Sequence, residues 1–125
     1  MTEFTIHLAN RPGQLAGLVK VMADGGVDIE ALAAFGIEDL GVVRMVVSDA
    51  ESARRVIDSA GLDAEERRIV TTSLSHRPGA LAALTQSLAE AGINIDGLYV
   101  LHSRTDEIEL ALAVTDEEAA RAAIA

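Results

Sequence analysis

Phe4, Ile6 and Leu8 alternate with Thr5, His7 and Ala9, and a period of two predicts a half-buried strand. After Asn10-Arg11-Pro12-Gly13 the period changes. Leu15, Leu18, Val19 and Met22 recur at helical spacing, and Gly25-Gly26 stops the helix near Asp24. Asn10 is the candidate cap, Pro12 suits a first turn where its missing N–H would be unpaired anyway, and Gly13 permits close approach to the backbone. Val27, Ile29 and Leu32 to Ile37 predict a second strand, and Glu38-Asp39-Leu40-Gly41 a hairpin turn. Val42 to Ser48 predicts a third strand with Val43, Met45 and Val47 as its apolar row. Asp49 then caps a helix reaching about Ala60, with Ala53, Val56, Ile57 and Ala60 inward and Gly61 as its stop. Glu65-Glu66-Arg67-Arg68 is a charge run, predicted as a solvated edge strand or linker.

The pattern then starts again. His76 to Ile95, HRPGALAALTQSLAEAGINI, restates Asn10 to Ile29, NRPGQLAGLVKVMADGGVDI, with Arg-Pro-Gly moved 66 residues on. A repeat of about half the chain predicts two small units, residues 1–68 and 69–125. The second unit is expected to have a strand from Ile69 to Ser75 and a helix from Pro78 to Ala91, with Leu81, Leu84 and Leu88 inward. A strand from Ile93 to His102 follows, then a turn from Ser103 to Glu107. Leu110, Leu112 and Val114 answer Val43, Met45 and Val47 at an offset of 67, so this hairpin is one residue longer. Asp116 caps a last helix. No fourth strand is legible after it, which predicts an open sheet edge that another segment or another chain would fill, oligomerisation being one way.

Composition narrows the chemistry. Half of the residues are hydrophobic but only 2% are aromatic, so the core must be built from Leu, Ile, Val, Met and Ala. A net charge of −10 opposes affinity for phosphate backbones and anionic bilayers, so neither nucleic acid nor membrane is expected as a partner. No apolar run approaches the roughly 20 residues that span a bilayer, and Met1 to Phe4 lacks the order of a signal peptide; a cytoplasmic location is the expectation. The absence of cysteine excludes disulfides, thiol catalysis and thiolate metal sites. His7, His76 and His102 fall on different elements without metal-ligand spacing, so no metal and no cofactor is expected. No nucleophile elbow, phosphate loop or paired acid and base points to an enzyme. Glu51, Asp58, Glu117 and Glu118 are expected to face solvent, and Tyr99 to lie in a core or interface.

The order β-α-β-β-α, completed by a last strand, is the ferredoxin-like split βαβ arrangement. Within it, Asn-Arg-Pro-Gly-Gln-Leu-Ala followed by Gly-Val-Asp-Ile resembles the ACT domain. His-Arg-Pro-Gly-Ala-Leu-Ala followed by Gly-Ile-Asn-Ile resembles a second copy. The fold class expected is therefore α+β, two ferredoxin-like βαββαβ ACT units in tandem, the second lacking its last strand. The resemblance implies a non-enzymatic regulatory protein that senses a small molecule, most often an amino acid, at the loop between strand one and helix one near an interface between domains. A homodimer and a partner enzyme belong to the same expectation.

The ligand set implied is Asn10, Arg11, Pro12, Gly13, Gln14, Leu15, Asp28 and Ile29 in the first unit. In the second it is His76, Arg77, Gly79, Ala80, Leu81, Asn94 and Ile95. Asn10, Asp28, His76 and Asn94 take the polar positions of the serine-binding members, although Leu8 and Leu74 stand where those members have a further His. A helix N-terminus suits a carboxylate, and Asp28 an ammonium group. Plainer roles stand beside these: Asn10 as a cap, Arg11 and Arg77 as surface charges, and Gly13 and Gly79 as approach points for a neighbouring domain. The alternative function is the regulatory small subunit, or an interaction module, of an amino-acid biosynthetic enzyme.

Overall fold

In the computed structural model, which describes residues 1–124, the period of two at the start of the chain becomes β1 (Thr2–Ala9) and the helical stripe becomes α1 (Gln14–Asp24). The remaining elements are β2 (Ile29–Ile37), β3 (Leu40–Val47), α2 (Ala50–Ser59), β4 (Ala64–Arg68), β5 (Val70–Ser75), α3 (Ala80–Glu90), β6 (Ile95–Ser103), β7 (Glu107–Val114) and α4 (Glu117–Ile124). Ala125, which closes the expected second domain, lies outside the described residues. The chain divides into two compact units, Met1–Arg67 and Arg68–Ala125. No helix among the described residues is long and apolar enough to cross a membrane.

In the first unit the sheet order is β2-β3-β1-β4, and the antiparallel register sets Phe4 opposite Met45 and Ile6 opposite Val43. That register gathers the predicted apolar rows on one face. Leu18 and Met22 of α1 and Ala53 and Ile57 of α2 close over Phe4, Ile6, Val43, Met45 and Val47, with Leu62 and Ala64 packed alongside. Asp49 caps α2 as expected, accepting from the Ser52 N–H at 3.1 Å. Several details differ from the sequence expectation. Leu15 is 40% exposed and Val19 nearly as much, because the buried stripe of α1 is narrower than its apolar one. Ala60 is exposed rather than inward, and Val56 is half-buried. The hairpin turn is only Glu38-Asp39, because Leu40 and Gly41 already pair with Ile37 and Gly36.

The charge run is a strand, β4, on the outer edge of this sheet. Arg54 of α2 grips Glu66 of β4 as a fork, with Nε donating at 2.9 Å and Nη2 to the second carboxylate oxygen. The hydrogen bonds from Arg54, together with its charge, hold the Glu66 carboxyl below the usual range against a smaller opposing effect of burial. A carboxyl with a depressed folded pKa stabilises the fold above its unfolded pKa and loses that contribution as pH falls through the folded value. Glu66→Gln should therefore lower the melting temperature slightly at pH 7, and the gap to the parent should close below about pH 4. Parallel thermal melts across pH measure it; a gap that widens in acid would refute the pairing.

In the second unit the order is β5-β7-β6, with β5 at an edge among the described residues. Val70, Leu84, Leu88, Ile93, Leu110, Leu112, Val114 and Ala120 form its core. The last strand of the βαββαβ pattern is missing among the described residues. The extra hairpin residue is absorbed by a bulge between Val100 and His102. Leu81 is 43% exposed where it was expected inward, and Ala80 is buried instead. Asp116 caps α4 by accepting from the Ala119 N–H at 2.9 Å. Glu117 is half-buried rather than solvated, pairing with Arg121 at 2.8 Å and Arg68 at 3.6 Å. Tyr99 is buried, and Glu51, Asp58 and Glu118 are exposed, as expected.

Candidate functional site

The Arg-Pro-Gly turns have the same geometry in both units. Gly13 and Gly79 are the N-caps of α1 and α3, at φ 89° in each case, and neither helix has a side-chain cap. This overturns Asn10 as the cap. It also replaces the close-approach explanation of the glycines: a Cβ at either position would meet nothing within 4 Å, whereas the left-handed φ is one an L side chain rarely adopts. The N–H groups of Gln14 and Ala80 fold back to the carbonyls of Arg11 and Arg77, at 3.2 and 3.3 Å. Those of Leu15, Ala16, Leu81 and Ala82 take no backbone partner. Unpaired N–H groups at a helix start, together with its partial positive charge, can receive a carboxylate.

Asn10 and His76 do something else. Asn10 Nδ2 donates to the Glu38 carbonyl at 2.8 Å, and His76 Nδ1 meets the Arg104 carbonyl at 2.9 Å, each 28 residues down the chain. The backbone N–H groups of the same residues reach the Asp39 and Asp106 carbonyls, both at 2.9 Å. Each side chain thus ties the end of a first strand to a hairpin tip. A carbonyl only accepts, so Nδ1 of His76 is the donor in this contact. Asn10 retains one amide hydrogen and its carbonyl oxygen.

Within each unit the expected ligand residues separate into two places. Ile29 pairs with Val47, which pairs with Thr2 at the start of β1, whereas Asn10 follows the end of that strand. Eight strand residues span roughly 25 Å, so no single small ligand touches Asn10 and Asp28 of one unit. The second unit repeats this split, with Ile95 opposite Val114 and His76 tied to the far hairpin tip. Ile29 and Ile95 pack against their cores. Asn94 is engaged by three of its groups: Nδ2 donates to Asp96 at 2.6 Å, and its N–H and carbonyl bond Thr115, both at 3.2 Å. Asp28 is exposed with no hydrogen bond or ion pair.

Asn10, Arg11, Gln14 and Leu15 do come together, as part of a pocket of about 130 Å³. The rest of its lining is Leu8-Ala9, Ala34-Phe35-Gly36 and Gly41-Val42-Val43. The strand residues were missed in the sequence. The signal that would have found them is the pair Gly36 and Gly41, directly opposite in the ladder, which leaves a gap in the helix-facing row. Pro12 and Gly13 shape the turn above. In the second unit Arg77 and Ala80 line a different groove, of about 310 Å³, beside Thr72 to Ser75 of β5. Among the described residues Arg11 and Arg77 make no ion pair, although the chain has twenty acidic residues to ten Lys and Arg. Among the described residues no group of three or more His, Asp or Glu side chains could hold a metal ion.

Comparison with known proteins places this geometry. Protein BT0572 of Bacteroides thetaiotaomicron superposes with a TM-score of 0.87 at 22% identity, over 98% of this chain and 84% of that one. The regulatory subunit of aspartate kinase from Thermus thermophilus gives 0.71 at 19% identity, over 98% and 89%. Its counterpart from Thermus flavus gives 0.63 at 20%, over 98% and 88%. These likenesses establish the fold. No curated protein matches the sequence. The family model described as "ACT domain pair" matches residues 1–124, nearly the whole chain, and the chain therefore belongs to the ACT domain pair family.

Proposed function

We propose that the chain is a non-enzymatic, cytoplasmic regulatory protein that binds a small molecule of the amino acid class at its strand–helix loops. Its two domains are residues 1–68 and 69–125. The observation that carries the proposal is the duplicated turn: helix N–H groups without a backbone partner beside an arginine that has no acidic partner among the described residues, set in a family of paired ACT domains. A carboxylate would accept from the Leu15 and Ala16 N–H groups and from the Arg11 fork, a charge-assisted arrangement. Asp28, the free acid, would receive an ammonium group. It lies at the other end of its own unit, so it meets a loop-bound ligand only if a second copy brings it there, and a homodimer is part of the proposal. Binding would favour one arrangement of the protein over another, and a partner would respond to that shift.

A panel of the twenty amino acids in thermal shift tests this. A ligand present at a hundred times its Kd adds about 2.7 kcal/mol of stability, enough to raise the melting temperature by several degrees. At least one amino acid should do so, and a panel without any stabilising member would sink the amino acid reading.

A second form of the proposal makes the chain the regulatory small subunit of an amino-acid biosynthetic enzyme. It is favoured by the likeness to the regulatory subunits of aspartate kinase. Recovery of a larger enzyme with the chain from native extract separates this form from a free-standing sensor.

A further inference from the structure

We infer that the small-molecule pocket is open in the first unit and filled in the second, and that the open one takes an amino acid no larger than about serine. The inference rests on the small-molecule reading above and narrows it.

The two units can be compared row by row across their sheets. Next to the loop, the helix-facing row Leu8–Gly41–Gly36 of the first unit answers to Leu74–Ile108–Ser103 of the second. One row further in, Ile6–Val43–Ala34 answers to Thr72–Leu110–Val100. Three pocket-lining positions, Gly36, Gly41 and Ala34, are thus each larger in the second unit. Ile108 packs directly onto that unit's core. Gln14, a polar member of the first pocket, is answered by Ala80, which is buried. The same place is therefore a lined gap in one unit, whereas in the other Ile108 packs into it and Val100 and Ser103, both exposed, stand at its rim.

The size of the gap sets the ligand class. The pocket measures about 130 Å³. It is well below the roughly 300 Å³ at which pockets for drug-sized molecules begin. In a pocket of that size, open to solvent on one side, a hydrogen, methyl or hydroxymethyl side chain can be held against the lining, whereas most of a leucine or lysine side chain would have to lie outside it. Gly36 cannot be enlarged without cost, since a Cβ there would lie 2.6 Å from Asn10 Nδ2 and disturb the tie to the hairpin tip. Gly41 is similarly placed, 3.3 Å from the Leu8 carbonyl. Ala34 is exposed at the pocket rim and can accept a larger side chain, which makes it the position for a test.

The experiment titrates the ¹⁵N-labelled chain with glycine, L-alanine, L-serine, L-leucine and L-lysine, with calorimetry alongside. The expected result is one molecule per chain, amide shifts confined to residues 8–15 and 34–43, and glycine, alanine or serine binding at least tenfold tighter than leucine or lysine. Ala34→Val should weaken that binding by about tenfold or more without changing the melting temperature. Two molecules per chain, equal shifts at residues 74–81 and 100–110, or leucine or lysine binding as tightly as alanine would each overturn the inference while the wider amino acid reading stands. If none of the five moves any amide, the inference falls, and the full panel decides the wider reading separately.

Discussion

Phe4→Ala should cost the first unit about 3–5 kcal/mol, a large part of the roughly 5–15 kcal/mol that holds an ordinary domain together. Phe4 is 1% exposed, stands opposite Met45 in the ladder, and packs among Ile6, Met22 and Val43 under both helices. The chain has only two phenylalanines, and the other, Phe35, is 59% exposed, so Phe4 is the one aromatic ring in this core. Its neighbours are branched aliphatics and methionines, of which only Met22 and Met45 are supple enough to lean into the space left behind. Chemical denaturation followed by amide signals from residues 2–9 and 40–47 measures the loss. A destabilisation under about 1 kcal/mol would mean that the core collapses around the gap or is packed differently.

Gly25→Ala should cost about 1–3 kcal/mol through overpacking. Gly25 has an ordinary negative φ of −84° and needs no conformational freedom. It is small because α2 passes close by: an added Cβ would sit 2.3 Å from Val56 Cγ2. Valine has a stiff χ1 and cannot simply swing aside, so either the helices separate or a strained rotamer results. The double variant Gly25→Ala with Val56→Ala should recover most of the loss, because the offending methyl is gone. Residues in contact depart from additivity in this way, and the coupling measured in the four-variant cycle is the readout. Additive effects would show that the two helices do not approach at this point.

The sequence made the repeat and the inward rows legible because both depend on spacing alone. Phe4 and Ile6, Leu18 and Met22, and Val43, Met45 and Val47 lie where period predicts, and Leu84, Leu88, Leu110, Leu112 and Val114 follow in the second unit. What escaped depends on distance through space. Asn10 has the residue type of a cap and the spacing of one, yet its amide reaches a carbonyl 28 residues away, which no local rule can supply. Leu15 belongs to the apolar stripe but shares a pocket with Gly36 and Gly41, where there is no side chain to pack against. Along the chain Gly41 reads as a turn residue and Gly36 as part of a strand, because their pairing depends on ladder register. Asn10 and Asp28 are close in the motif but lie at opposite ends of the sheet, since α1 carries the chain back before β2 begins.

Four of the five residues in β4 are charged, and that strand forms one border of its sheet. An uncharged border with free N–H and C=O groups is a template on which other chains can stack into aggregates. Glu65-Glu66-Arg67-Arg68 works against this, because a strand laid alongside would have to desolvate several full charges and match their signs in register. The Arg54–Glu66 fork adds to it, holding one of those charges in place across a helix and the border strand. The run that looks least informative in the sequence thus guards the border of its sheet against pairing with another strand.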